Sequence, residues 1–282
     1  MTDDTLTYAS DYTSEQLERS KNTLLHAATF LGDFARDVVL VGGLVPVFLI
    51  AQEVDGSKES HVGSVDVDLV LSLSMISQQR YQLLAERLRA QDFLPDTNEK
   101  GNETKQRWRY REPEKAVTLD FLIDESDTED HGWGRIHSLT DDLGAIRAFG
   151  ARLAFEDVNV VEIIGRTLEG DAASREIQVC GPAAFVVLKA IAFSNRKARK
   201  DAYDMGYVLR YYGQSTEDVA ARFKIIEDHP ATKLAIEILR NDFSSEEAMG
   251  PRDASRFLFQ TVNDEYVAEY VGSVRRLLKL IG

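Results

Sequence analysis

Cys180 is the only cysteine in this 282-residue chain. One thiol excludes an intramolecular disulfide, argues against a thiolate zinc site and fits a reducing compartment. Long apolar runs are also missing. The longest, residues 38–51, contains two glycines and a proline and falls short of the ~18 residues that a membrane span needs. The opening residues, Met1-Thr-Asp-Asp-Thr5, have neither the basic nor the apolar stretch of a secretory leader, so the chain reads as cytoplasmic, with no membrane partner. His26, His61, His131, His137 and His229 show no metal-ligand spacing. Neither a Walker A motif nor a G-x-G-x-x-G occurs, which sets aside P-loop and dinucleotide sites, and no nucleophile elbow supports a Ser-His-Asp reading. Positive charge is scarce as well. With 33 Lys and Arg against 47 Asp and Glu, the formal net charge of −14 argues against a broad cationic surface for nucleic acid. The local exception is Arg196-Lys197-Ala198-Arg199-Lys200, whose plain reading is a solvated helix face.

What remains is a globular chain, 44% hydrophobic and 28% charged, long enough for two domains or one large one. Apolar spacing predicts a helix over residues 14–35, capped by Thr13 or Ser14, and a fully apolar strand at 38–41. A helix follows from about Leu44, with Pro46 tolerable in its first turn. A strand is expected at 65–73, a helix at 76–90, and a hairpin of strands 105–111 and 116–123 around residues 112–115. Further strands are expected at 158–164 and 176–179. After Gly181-Pro182 strand signals vanish, and helices are expected at 183–194, 200–212, 216–227, 231–240, 253–261 and 264–280. Gly213 fits a helix C-terminal cap and Pro230 a helix start. The chain thus divides into an α/β part, residues 1–180, and an all-helical part, 181–282.

Two short blocks carry the chemistry. Residues two apart on a strand share a face, so in Val65-Asp66-Val67-Asp68-Leu69 the two aspartates project together while the apolar residues face the core. Adjacent carboxylates repel and call for a cation, and burial within an apolar run sharpens the need. Asp120 lies on a second apolar strand, sharing a face with Thr118 and Leu122. Three such acids can hold magnesium ions; the plain alternative for Asp120 is a strand-end residue facing solvent. Gly42-Gly43 joins the first strand to a helix start, where phosphate can rest, although a tight turn with no ligand accounts for it too. Lys189 sits in an apolar helix, and Arg196 and Lys200 share its face if that helix is continuous, giving a cationic stripe for phosphates. Asp201 and Asp204 follow and orient these cations, or else make ordinary surface pairs. His61 reads as a loop residue that could touch substrate.

Together, Gly42-Gly43 and Ser64-Val-Asp66-Val-Asp68-Leu69 resemble the glycine turn and D-x-D signature of the DNA polymerase beta-like nucleotidyltransferase superfamily. Leu188-Lys189-Ala190, with Arg196 and Lys200-Asp201-Ala-Tyr-Asp204, resembles the AbiEii-type branch, which is bacterial and archaeal and includes toxins of toxin–antitoxin and abortive-infection systems. The resemblance covers about residues 36–212. It implies an α+β fold: a mixed sheet with flanking helices plus a helical C-terminal domain. It also implies that Asp66, Asp68 and, less directly, Asp120 bind Mg2+ or Mn2+, and that Lys189 contacts nucleotide. Gly42, Gly43, Ser64, Arg196, Lys200 and Asp204 would complete the nucleotide site. Two departures stand out. Gly43 occupies a position where many members place a phosphate-holding serine, and the residues 52–63 lengthen the gap to Asp66. The expected reaction is transfer of NMP from an NTP to an acceptor hydroxyl, with RNA or tRNA as candidate acceptor and an antitoxin protein as candidate partner. The alternatives are adenylation of a small molecule such as an antibiotic, and a catalytically silent nucleotide- or partner-binding module.

Overall fold

A computed structural model describes residues 6–50, 60–72, 78–98, 100–124 and 134–282. Thr13 starts the first helix by a reciprocal cap: its Oγ1 accepts from the Gln16 backbone N–H, and Gln16 Oε1 accepts from that of Thr13. Helix α1 (Ser14–Leu31) buries Leu24, Leu25, Ala27, Ala28 and Leu31. It ends short of residue 35 because Gly32 takes a positive φ (+53°), and a 3-10 turn, Gly32–Arg36, leads into strand β1 (Val38–Val41). Helix α2 (Val45–Leu49) carries Pro46 in its first turn, as expected, but runs for only five residues.

Strand β2 (Asp66–Leu71) lies antiparallel to β1 and parallel to β5 (Thr118–Asp124). Helix α3 (Gln78–Ala90) leads to β3 (Phe93–Thr97), which pairs with β4 (Glu103–Tyr110); β4 and β5 form the expected hairpin. The far half of β5 pairs with β7 (Gly144–Ala148), itself paired with β6 (Ile136–Ser138). Helix α4 (Leu153–Glu156) precedes β8 (Val158–Arg166) and β9 (Ala172–Cys180), a long hairpin whose second strand runs parallel to β1. The result, among the described residues, is a nine-stranded mixed sheet in the order β3-β4-β5-β2-β1-β9-β8, with β7 and β6 beside β5: an α+β fold. Strands β3, β6 and β7 and helix α4 lie outside the expected set. The acidic run at residues 125–130 lies outside the described residues.

Leu40 and Leu69 meet Leu24, Ala28 and Leu31 of α1 on one side of the sheet. By the pleat, Asp66 and Asp68 face the other side. There run α5 (Pro182–Arg196) and α6 (Arg199–Tyr211), followed by α7 (Thr216–Phe223), α8 (Pro230–Asp242), α9 (Met249–Phe259) and α10 (Asp264–Ile281). Helix α9 begins before residue 253 because Gly250 and Pro251 fit its first turn. Buried apolar side chains form one continuous cluster from Leu24 in α1 to Leu277 in α10. Asp157 fixes the start of α5: its Oδ2 accepts from the N–H groups of Ala183 (2.8 Å) and Ala184 (2.9 Å), and its Oδ1 accepts from Arg222 Nε in α7 (2.6 Å). An anion at a helix N-terminus also complements the macrodipole. No helix among the described residues is long and apolar enough to cross a membrane.

His26 of α1 packs against Phe30, Phe93 and Tyr110. Burial lowers its pKa, the nearby charge of Glu169 opposing in part. The folded state therefore holds it neutral, while the unfolded chain takes up its proton near pH 6.5. The associated stability is present above that value and is lost as the pH falls below it. Buried His61, also shifted downward chiefly by burial, acts with the same sign. His26→Phe is expected to flatten, without abolishing, the fall in Tm between about pH 7.5 and 5.5 in paired thermal melts.

Candidate metal centre

Strand register aligns four residues in one row across the sheet. Val41 of β1 faces Asp68 of β2, Asp68 faces Asp120 of β5, and Asp120 faces Arg107 of β4. Registered neighbours project to the same side, and Asp66, two positions before Asp68, joins them. One oxygen each from Asp66, Asp68 and Asp120 lies within 4.8 Å of the others. Asp120 is only 3% exposed, so it is not a strand-end residue facing solvent. The Asp68 carboxyl is pushed well above the usual carboxylate range, first by burial and then by the charges of Asp66 and Asp120, against the pull of Lys189 and Arg196. Three hard oxygen donors at this spacing, one of them opposed as an anion by its surroundings, could hold a metal ion.

Two neighbours already act on this triad. Ser64 Oγ donates to Asp66 Oδ1 (2.6 Å), and the Ser64 carbonyl accepts from Ser20 Oγ (2.5 Å). Ser64 thus orients the Asp66 carboxylate. Arg107 donates to both oxygens of Asp120, Nε to Oδ1 (2.7 Å) and Nη2 to Oδ2 (2.5 Å), so Asp120 meets a metal only by sharing its oxygens with a guanidinium.

Gly42 has φ +74°, and a Cβ there would lie 1.9 Å from Asp68 Oδ2. Both the conformation and the contact demand glycine. Gly42→Ala is expected to cost about 1–3 kcal/mol and to displace Asp68; denaturant unfolding and a Mg2+ titration of the variant measure the two effects. At Gly43 a Cβ would lie 2.4 Å from Lys200 Nζ and 3.0 Å from Ser64 Oγ. An ammonium therefore fills the space that a serine side chain would take, which gives the glycine a physical reason. The helix after this turn is too short for much dipole, so what the turn offers a phosphate is its backbone and the adjacent Lys200.

Two helices form, as expected, so Lys189, Arg196 and Lys200 do not share one continuous helical face. Lys197 turns left-handed (φ +51°), ending α5, and α6 begins at Arg199. The same residues still converge, through acids. Asp201 accepts from Lys189 Nζ (2.9 Å), Arg196 Nε (2.6 Å) and Arg196 Nη2 (2.7 Å). Asp204 pairs with Lys189 (2.7 Å) and with Lys200 (3.0 Å). His61 Nδ1 accepts from the Gly63 N–H, which leaves Nε2 to donate to Asp204 Oδ1 (3.0 Å). The arrangement is a buried, charge-balanced lattice and not a bare cationic stripe. Burial works against the ionised form of both Asp204 and Lys189. For Asp204 the opposing charges of Lys189 and Lys200 win and hold it well below the carboxylate range. For Lys189, Asp204 and Asp201 win and keep it cationic. Lys197 and Arg199 also face acids, Asp242 (2.9 Å) and Asp253 (3.9 Å).

The triad, the Gly42-Gly43 turn, Arg107, Lys189, Arg196 and Asp201 line one cavity of about 370 Å³, whose remaining wall is mostly apolar, with Leu122, Phe149, Phe185 and Leu188, and includes Arg147. Lys200 and Asp204 stand behind this lining. Sequence reasoning missed Arg107 and the buried state of His61, and left Asp201 undecided between a cation-orienting role and surface pairing. Register across β4 and β5 marks Arg107, while nothing local marks a lone histidine after a polar loop. In comparisons with known proteins, no family model matches this chain, and no curated protein matches it.

Proposed function

We propose that this protein is a metal-dependent nucleotidyltransferase, similar in its motifs to the AbiEii-type branch of the DNA polymerase beta-like superfamily. The observation that carries the reading is the triad Asp66, Asp68 and Asp120, with oxygens within 4.8 Å, in a cavity shared with the Gly42-Gly43 turn and Lys189. A Mg2+ or Mn2+ ion there would supply Lewis-acid charge to phosphate oxygens and to the attacking hydroxyl. Lys189 and Arg196 give the triphosphate its cationic contacts, and Asp201 and Asp204 hold those cations charged and in place. The apolar wall suits a nucleobase. In the reaction the acceptor oxygen forms a bond to the α-phosphorus, and the bond from that phosphorus to the pyrophosphate oxygen breaks. Pyrophosphate leaves, and the hydroxyl proton passes to a carboxylate of the triad.

We propose an RNA hydroxyl, tRNA in particular, as acceptor, and a toxin role that an antitoxin protein would restrain. The test is incubation with α-labelled NTPs, Mg2+ and either total RNA or an aminoglycoside panel, with Asp66→Ala alongside. Label is expected in RNA with the wild type alone. Label on aminoglycoside instead selects the small-molecule acceptor. Equal transfer by Asp66→Ala, or metal-independent NTP binding with no transfer, overturns the proposal.

A further inference from the structure

A second cavity, of about 460 Å³, opens on the opposite side of α6, between α6 and α10. Its lining includes Tyr207, Tyr211, Tyr266 and Tyr270, with Arg210 and Gly272. The rings are ordered against one another: Tyr207 and Tyr211 lie 4.7 Å apart between centroids, and Tyr266 and Tyr270 6.2 Å. Tyr270 Oη donates to the Ala202 carbonyl (2.7 Å), which fixes that ring. Arg210 lies 5.3 Å over the Tyr211 ring and pairs with Glu269 (2.8 Å), another lining residue. Around Gly272 there is open space: a Cβ there would meet nothing within 4 Å. None of the metal-centre residues lines this cavity, and it stands independently of the reading given to them. Its inner wall nevertheless adjoins them, since His61, hydrogen-bonded to Asp204, packs on Tyr207 with ring centroids 4.8 Å apart.

We propose that this cavity binds a nucleobase. Preset aromatic faces on the wall offer a flat ring a stacking surface without regard to its sequence. The Arg210–Glu269 pair at the wall offers donors beside acceptors, the pattern of a base edge, and an aliphatic occupant would desolvate that pair with no return. The volume exceeds that of a bare base and takes a nucleoside with its phosphate near the guanidinium. The base comes from a free nucleotide or from a single-stranded nucleic acid, and both present the same ring.

The test is calorimetric titration of the full chain in EDTA with each of the four ribonucleoside monophosphates and with an oligo(A) RNA of about eight nucleotides. EDTA removes the metal on which binding at the triad depends. Binding at one site per chain is expected, weakened at least ~10-fold by Gly272→Leu, which fills the open space, and unchanged by Asp66→Ala. Tyr211→Leu, which keeps apolar bulk and removes the ring, is the second variant should Gly272→Leu fail to fold, with the same expected loss. Binding of a monophosphate identifies the free nucleotide as ligand; binding of the RNA alone identifies nucleic acid. Absence of binding by every probe overturns the proposal. So does binding that Asp66→Ala abolishes and the two cavity variants leave intact. Neither result touches the transferase reading, which the metal-dependent assay decides.

Discussion

Asp68→Asn is expected to lower NMP transfer at least ~10³-fold, about 4 kcal/mol of barrier, while leaving the metal-free protein as stable as the wild type or more so. The two signs come from one cause. Burial and the charges of Asp66 and Asp120 disfavour the Asp68 anion, so in the empty cluster an isosteric amide removes a charge that the site opposes. Gly42 leaves room for a side chain of this size and no more, and asparagine keeps that size. The same change removes a hard oxygen donor that a divalent ion needs. Thermal melts with and without Mg2+ separate the effects: the wild type gains Tm on adding the ion and Asp68→Asn does not. A variant that loses stability in parallel with activity would make Asp68 a structural residue.

Asp204→Ala is expected to be the most destabilising single change in the site. It strips the acid from between Lys189, Lys200 and His61 and leaves two buried ammonium groups short of counter-charge. Breaking a buried ion pair on one side costs about 3–5 kcal/mol, or roughly 10 °C of Tm for a chain of this size. Lys21→Ala, which breaks an exposed i,i+3 pair with Glu18, is the control and should change stability by about 0–1 kcal/mol. A drop of under about 2 °C for Asp204→Ala would show that water reaches the lattice and screens it.

The acidic cluster was legible because its signal is periodic. Alternation along Asp66–Leu71 and Thr118–Asp124 sorts acids from core residues with no knowledge of pairing. That Asp68 and Asp120 meet is a matter of register, and register depends on which strands pair and where. Arg107 was hidden for the same reason: it reaches Asp120 from a strand whose own alternation says only that Trp108 faces inward. The break between α5 and α6 was legible as the gap between the helices expected at 183–194 and 200–212; that Lys197 makes it in the left-handed region was not, because no glycine announces it. The helices after residue 181 were readable from apolar spacing and proline starts. Strand β3 was not, since Phe93-Leu-Pro-Asp-Thr97 puts a proline inside a weak pattern, and Ile136–Ser138 is too short to show a period.

The clamp on α5 has a mechanical consequence. Asp157 grips the root of the helix, and Lys189 sits two turns along it, roughly 10 Å away. The helix is therefore a lever arm with its fulcrum outside the cavity, for neither Asp157 nor Arg222 is among the residues that line it. A tilt of about 6° at the fulcrum carries the lysine roughly 1 Å, the scale on which misplacement costs about 10²-fold in rate. The stiffness of one carboxylate's grip on two backbone amides and a guanidinium thus sets how accurately the far end of the lever is aimed.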